Sequence, residues 1–377
     1  MTADITLPLA LLGGLSPQRF MQRHWQKKPL LVRAAVPGLQ PLLDRKSLFA
    51  LAARDEVESR LVVRGGNGWK MRSGPLPRRS LPALSQPDWT LLVQGVDLHN
   101  EAAHRLLSQF RFIPDARVDD LMISWASDGG GVGPHFDSYD VFLLQVQGRR
   151  RWRIGRQRDL SLQEGVPLKI LAHFEPEHEY LLEPGDMLYL PPRYAHEGSA
   201  EGECQTYSIG FRAPPRGELA RELLERLAED ADNAAGGALY RDQGALATAS
   251  PGAVPAAMQR FAADAVRAAL ADPAALDRAL GEFLTEPKPA VWFDAAPASP
   301  ILGALRLDRR SRMMHDARHV FLNGESWRAA GRDAVLMRQL ADRRELSAAQ
   351  VRRASEGARD LLGEWFAAGW LHRHEEE

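Results

Sequence analysis

His135 and Asp137 are separated by a single residue, so on an extended chain both side chains leave the same face and can grip one ion. A second histidine, His196, follows a tight Glu183-Pro184-Gly185-Asp186 turn and the extended run MLYLPPRYAH. Two imidazoles and a carboxylate on one face of an octahedron suit Fe(II) and leave its other positions open for a cosubstrate and oxygen. An isolated HxD tripeptide in a chain with eleven histidines is more often ordinary structure. The surroundings raise it: a glycine-rich approach from Gly129 to Gly133, then Pro134, a strand, a turn at Gly148, and the distal PGD and histidine.

Arg150 belongs to the same chemistry. In the alternating run RRRWRIG it shares a face with Trp152 and Ile154, the face that is normally buried. Iron oxygenases with such a triad commonly use 2-oxoglutarate, whose far carboxylate needs a counter-ion deep in the protein. A guanidinium supplies a bidentate, charge-assisted partner, and the pairing offsets the several kcal/mol that an unpaired buried cation costs. Arg149, Arg151 and Arg153 then point to solvent. A slip of one residue would bury Arg149 or Arg151 instead, but it would also expose Trp152 and Ile154.

Other candidates carry less. The GGGVGP stretch has no Lys-Ser/Thr pair after it and reads as a flexible approach rather than a phosphate loop. His173 and His178 lack a third ligand nearby and read as loop residues. Cys204 has no support as a nucleophile; as the single cysteine it can form neither an internal disulfide nor a thiolate zinc cage, which with the composition favours a reducing cytoplasm.

These residues need a β scaffold, and the pattern provides one. From Trp89 to Phe211, short apolar runs alternate with Gly and Pro turns, as in a sandwich or barrel. Upstream, FMQRHWQKKPLLV reads as a helix running into a strand at Pro29, and LPLALLGGL reads as packed structure rather than a leader. Pro214-Pro215 closes the β section. Helices follow: Leu219, Leu223 and Leu227 form one stripe, and Asp272-Pro273 marks a break and restart. The last eighty or so residues carry an Asn323-Gly324 hairpin between helical patterns, in the order of a small winged helix. The 377 residues are thus divided into 1–213, 214–292 and 293–377. Lysine plus arginine (48) nearly cancel aspartate plus glutamate (49), which argues against a global footprint for nucleic acid or anionic membrane, and no apolar run is long enough to span a bilayer.

The segments PHFDSYDVFLLQVQGRRRWRIG, LEPGDMLYLPPRYAHEG and FMQRHWQKKPLLV together resemble the JmjC-type 2-oxoglutarate oxygenases of the cupin superfamily, and within them the bacterial ribosomal oxygenases that hydroxylate an arginine of a large-subunit ribosomal protein. The resemblance is specific over roughly Phe20 to Phe211 and looser beyond. It implies an all-β double-stranded β-helix (jelly roll) catalytic domain, a helical dimerisation region giving a homodimer, and a terminal winged helix. By motif position it implies His135, Asp137 and His196 as iron ligands and Arg150 as the partner of the 2-oxoglutarate carboxylate, with oxygen as the second cosubstrate. One departure is visible: Ala126 stands where a small hydroxyl residue is expected, so Ser124, Ser127 or Ser208 would supply that hydrogen bond. For a guanidinium substrate, Tyr139, Asp128 and Asp140 are the candidates at the mouth.

Two alternatives stay open at this stage. One is a JmjC oxygenase with another target, a histidine hydroxylase or an N-methyl demethylase. The other is a non-enzymatic, metal-binding cupin-like regulator that uses its winged helix on DNA. Fourteen Arg and no Lys against twelve Asp plus Glu from Ser299 to Glu377 make a phosphate-tracking surface there an unfavoured reading.

Overall fold

The computed structural model describes residues 4–66, 68–297 and 303–374. These divide into two compact units, one formed by Met1–Ala213 with Ala290–Trp292 and the other by Pro214–Pro289 with Phe293–Glu377. The first boundary falls at the Pro214-Pro215 pair.

The first unit is built on strands β1 (Leu30–Val32), β2 (Ser59–Gly65), β3 (Gly68–Ser73), β4 (Trp89–Val93), β5 (Val118–Ala126), β6 (Asp140–Gly155), β7 (His178–Leu182), β8 (Met187–Leu190) and β9 (Ala195–Phe211). They form one antiparallel sheet in the order β1-β8-β6-β9-β5-β4-β2-β3, with β7 paired to β6. This is the double-stranded β-helix that the family resemblance implied, within the sandwich-or-barrel class that the short apolar runs suggested. Helices α1 (Pro17–Arg23), α2 (Arg45–Leu51), α3 (Val96–His99) and α4 (Glu101–Ser108) accompany it. Ser16 caps α1 through its hydroxyl, and Pro17 sits in the first turn, where a missing N–H costs nothing.

Alternation gives the sheet two faces with different tasks. Ile123 and Trp125 of β5, Phe142 and Leu144 of β6, and Tyr207, Ile209 and Phe211 of β9 join Phe20 of α1, Leu48 and Phe49 of α2 and Leu106 of α4 in the main core. Leu11 and Leu12 from LPLALLGGL are buried there as well. The opposite face carries Val141 and Leu143 of β6, Leu188 and Leu190 of β8, and then Trp152 and Ile154 of β6 again.

Odd residues at the start of β6 and even ones at its end share this face because the strand is kinked. Its pairing with β9 shifts register between Gln145 and Gln147 and again between Gln147 and Arg149. Gly148, which reads as a turn in the sequence, therefore does not end the strand. Its φ of +64° and the approach of the Glu203 carbonyl, 2.1 Å from where a Cβ would stand, require glycine at the bend.

The second unit holds both sections expected beyond residue 213: α5 (Arg216–Glu229), α6 (Ala231–Ala235), α7 (Ala256–Ala269) and α8 (Pro273–Thr285), then β10 (Ala304–Leu307), β11 (Met313–His315), β12 (His319–Leu322), β13 (Glu325–Arg328), α9 (Gly331–Arg343), β14 (Glu345–Leu346), α10 (Ala348–Arg353), α11 (Glu356–Ala367) and β15 (Leu371–His374). Asp272 caps α8 and Pro273 opens it, so the break and restart stand where the sequence put them. Asn323 and Gly324, both at positive φ, close the β12–β13 hairpin. The boundary expected at 292/293 does not separate two compact units, because α8 packs on the hairpin: Thr285 Oγ1 accepts from the Gly324 amide at 3.2 Å, and Gly281 lies against the Phe321 ring. Of the leucine stripe on α5, Leu227 is buried and Leu219 and Leu223 are half-buried.

Two outcomes follow for this unit. A methyl group at Gly281 would stand 2.3 Å from the Phe321 ring, so Gly281→Ala should destabilise the unit by roughly 1–3 kcal/mol, read as faster hydrogen exchange across α8 and β12 with the β-helix unaffected. Burial opposes ionisation of Asp308, but the hydrogen bonds from Arg310 and His372 outweigh it and hold the carboxyl at about 2. Its contribution is present above the unfolded value of 3.8 and is lost as pH falls through about 2, so exchange of residues 304–374 should accelerate over that window in the parent and not in Asp308→Asn.

Candidate metal and cosubstrate site

The segment before β6 runs beside the start of β9: the His135 amide donates to the His196 carbonyl at 2.9 Å and the His196 amide returns a bond to the His135 carbonyl at 2.8 Å. This bridge brings the two imidazole centroids to 4.2 Å. The Arg193 amide donates to the Asp137 carbonyl at 2.7 Å and holds the next turn against the same place. Asp137 Oδ2 consequently lies 4.0 Å from His135 Nε2 and 3.6 Å from His196 Nε2. One ligand atom from each of the three residues falls within 4.8 Å of the others. The sequence placed His135 and Asp137 on a strand; the pair instead sits in an extended segment just outside β6, joined to β9 by that bridge.

The donor set fits a divalent transition metal. His135 Nδ1 faces the Gly133 carbonyl at 3.0 Å and His196 Nδ1 faces the Tyr194 carbonyl at 2.9 Å. A carbonyl only accepts, so each Nδ1 carries the proton and each Nε2 presents its lone pair toward Asp137. Burial, followed by the neighbouring His135 ring, pushes the His196 imidazole down to about 4, which keeps it in the neutral, ligating form.

Arg150 lies on the same face of the sheet. The ladder sets Ile154 opposite His196, Trp152 opposite Gly198 and Arg150 opposite Ala200. The Trp152 ring spans the gap, 5.8 Å from the His196 ring and 5.1 Å from the Arg150 guanidinium. Arg150 is 3% exposed, Nη2 donates to the Gly198 carbonyl at 3.1 Å, and Nε and Nη1 have no hydrogen-bond partner among the described residues. Two desolvated donors on a fixed charge are costly unless an anion meets them, and a carboxylate does so with the right geometry. The neighbouring arginines behave as the register requires: Arg149 and Arg153 are exposed, Arg151 binds Glu201 and Glu179, and Arg153 binds Glu197.

The remaining expected residues scatter. Ser124 and Ser208 are diagonal neighbours on the inward face, where Ser124 pairs with Thr206 and Ser208 with Met122. The Ser124 hydroxyl donates to the Thr206 carbonyl at 3.2 Å. Ser127 is engaged with the Trp89 backbone in both directions. Ala126, in the place of the expected hydroxyl, packs with Ala200 and Cys204. Cys204 is buried, and burial pushes its thiol up. Thr206 Oγ1 donates to Gln145 Oε1 at 2.8 Å, and neither residue was foreseen on this face from the sequence.

Tyr139 is partly buried beside the trio, and burial followed by the Asp137 carboxylate raises its phenol. Asp128 is exposed in the glycine-rich loop, its Oδ1 accepting from the Gly202 amide at 2.8 Å. Asp140 has to be withdrawn from the mouth. It is fully buried on the core face of β6, where Tyr189 (2.6 Å), Arg117 (3.0 Å) and Gln26 (3.2 Å) surround its carboxylate. Its position next to Val141 in alternation sends it to the opposite side from the candidate metal ligands.

Comparisons with known proteins agree with this geometry. A JmjC domain model matches residues 105–219, and a ROXA-like winged-helix model matches residues 268–372. The Escherichia coli ribosomal protein uL16 3-hydroxylase is 37% identical over 285 residues, which span 74% of each chain. A crystal structure of E. coli YcfD superposes with a TM-score of 0.84 at 30% identity, covering 95% of this chain and 98% of that one. The YcfD structure in complex with cobalt and 2-oxoglutarate superposes with a TM-score of 0.78 at 31% identity, covering 96% and 99%. On its fold, its paired domain matches and these likenesses, the chain belongs to the JmjC-domain ribosomal oxygenases.

Proposed function

We propose that this protein is a 2-oxoglutarate- and Fe(II)-dependent dioxygenase that hydroxylates an arginine side chain of a large-subunit ribosomal protein. The observation that carries the reading is the pairing, on one inward face, of a His135–Asp137–His196 cluster with a buried Arg150 whose two free donors await an anion. The E. coli uL16 3-hydroxylase and the YcfD complex with cobalt and 2-oxoglutarate support both the substrate class and the cosubstrate.

His135, Asp137 and His196 would hold the iron by three adjacent positions, and Arg150 would take the far carboxylate of the keto acid. Bound iron, with 2-oxoglutarate and oxygen, supplies oxidation of the keto acid to succinate and carbon dioxide and hydroxylation of an unactivated C–H bond. The chain's own part is placement and exclusion of water. Trp152 and Ile154 fill the face between Arg150 and His196 with apolar surface, which keeps the dielectric low around the guanidinium. Ser124 and Ser208 are the nearby hydroxyls for further bonds to the cosubstrate. At the mouth, Tyr139 offers an aromatic surface and Asp128 a carboxylate for the substrate guanidinium.

We also read the protein as a cytoplasmic homodimer. Among the described residues no helix is long and apolar enough to cross a membrane. Helix α7 buries none of its residues, and Met258, Phe261 and Val266 are exposed along it. Phe261 has one side against the Tyr240 ring, and the rest of the stripe is left exposed, which suits contact with a second copy.

His135→Ala should abolish Fe(II)-dependent succinate formation. Arg150→Met should raise the KM for 2-oxoglutarate roughly ten- to a hundredfold, the worth of hydrogen bonds to a charged group. Incubation with large-subunit ribosomal protein should add the mass of one oxygen to an arginine-containing peptide, and the same peptide with lysine in place of arginine should stay unmodified; oxidation of the lysine peptide, or of a histidine, would refute guanidinium recognition. Phe261→Glu should convert a dimer into a monomer by light scattering, and a monomeric parent would remove the dimer reading.

A further inference from the structure

Gly198 lies two residues after His196 on β9, opposite Trp152. Its φ is outside the left-handed region, so the backbone there would accept any residue. Space is what demands glycine. A methyl group at this position would stand 2.6 Å from Arg150 Nε and 2.7 Å from the edge of the Trp152 indole. The Gly198 carbonyl is also the acceptor that holds Arg150 Nη2. Behind it lies Gly131, again outside the left-handed region, where a Cβ would stand 2.4 Å from the Gly198 carbonyl oxygen.

From this arrangement we infer that Gly198, backed by Gly131, is a positioning residue for the far carboxylate of the cosubstrate: the two glycines form a slot without side chains that seats the Arg150 guanidinium against Trp152. The inference rests on the dioxygenase reading above and extends it to residues outside the ligand set. Without the slot, Arg150 would have to leave the face where its Nε and Nη1 stand unpaired, and the anion site would move with it. The metal ligands would be spared, because His135, Asp137 and His196 are fixed by separate backbone bonds to Gly133, Tyr194, Arg193 and one another.

The test uses the full chain loaded with Co(II), whose visible absorbance reports metal binding and its perturbation by 2-oxoglutarate, alongside turnover with Fe(II). Gly198→Ala should raise both the Kd and the KM for 2-oxoglutarate at least about tenfold while leaving kcat at saturating cosubstrate largely intact. Co(II) affinity should stay within about twofold of the parent. In an Arg150→Ala background the same substitution should add little, since the residue it positions is gone. Unchanged 2-oxoglutarate affinity in folded Gly198→Ala, or an equal further loss in the Arg150→Ala background, would overturn the inference. If Gly198→Ala does not fold, Gly131→Ala carries the test, and an unchanged Kd there is equally fatal. Failure of the parent itself to bind 2-oxoglutarate would instead overturn the functional reading.

Discussion

A guanidinium sits inside this protein with two of its nitrogens unpaired, and the rest of the catalytic unit is arranged around that charge. An unpaired buried cation costs several kcal/mol, an expense that a stable fold tolerates only where a ligand will meet it. Arg150 is therefore a stability liability in the free protein and, in the function proposed above, the group that would take the far carboxylate of the keto acid. Trp152 on one side and Gly198 on the other leave it little freedom to escape toward solvent. The outward arginines beside it follow the opposite rule: Arg151 and Arg153 are on the solvent side, where their pairs with exposed Glu179 and half-buried Glu197 contribute little.

The charge reaches that position through one defect in an otherwise regular strand. β6 runs from Asp140 to Gly155, and without the register shifts around Gly148 its even residues would all face the main core, as Phe142 and Leu144 do. The bulge moves Arg150, Trp152 and Ile154 to the inward face instead. The same strand thus contributes Phe142 to the core that makes the unit stable and Arg150 to the site that makes it useful. Asp140 illustrates the division: three residues before Leu143 in the inward cluster, it is spent on the core face, pairing Arg117 and Tyr189.

The second unit follows separate physics. Its winged-helix core and the α5–α8 section form one body because α8 docks on the hairpin through Gly281 and Thr285. Near-neutral charge over the terminal region argues against phosphate tracking, and the exposed apolar residues of α7 are where the proposed contact between copies would form.

From the sequence alone, residue chemistry and local periodicity determined the HxD pair, the inward arginine, the capped break at Asp272-Pro273 and the Asn-Gly hairpin, since each depends on neighbours a few positions away, whereas the distal His196 is picked out by its PGD context and the family resemblance. Tertiary structure alone decided what depends on distant backbone: the bridge that joins His135 to His196, the burial of Asp140 under Tyr189, the assignment of α8 to the terminal unit, and the glycine slot beneath Arg150. A spacing rule carries side-chain direction along one strand but not across a bulge or between strands. Which groups finally face one another is set by sheet register and by the volume left where two backbones meet.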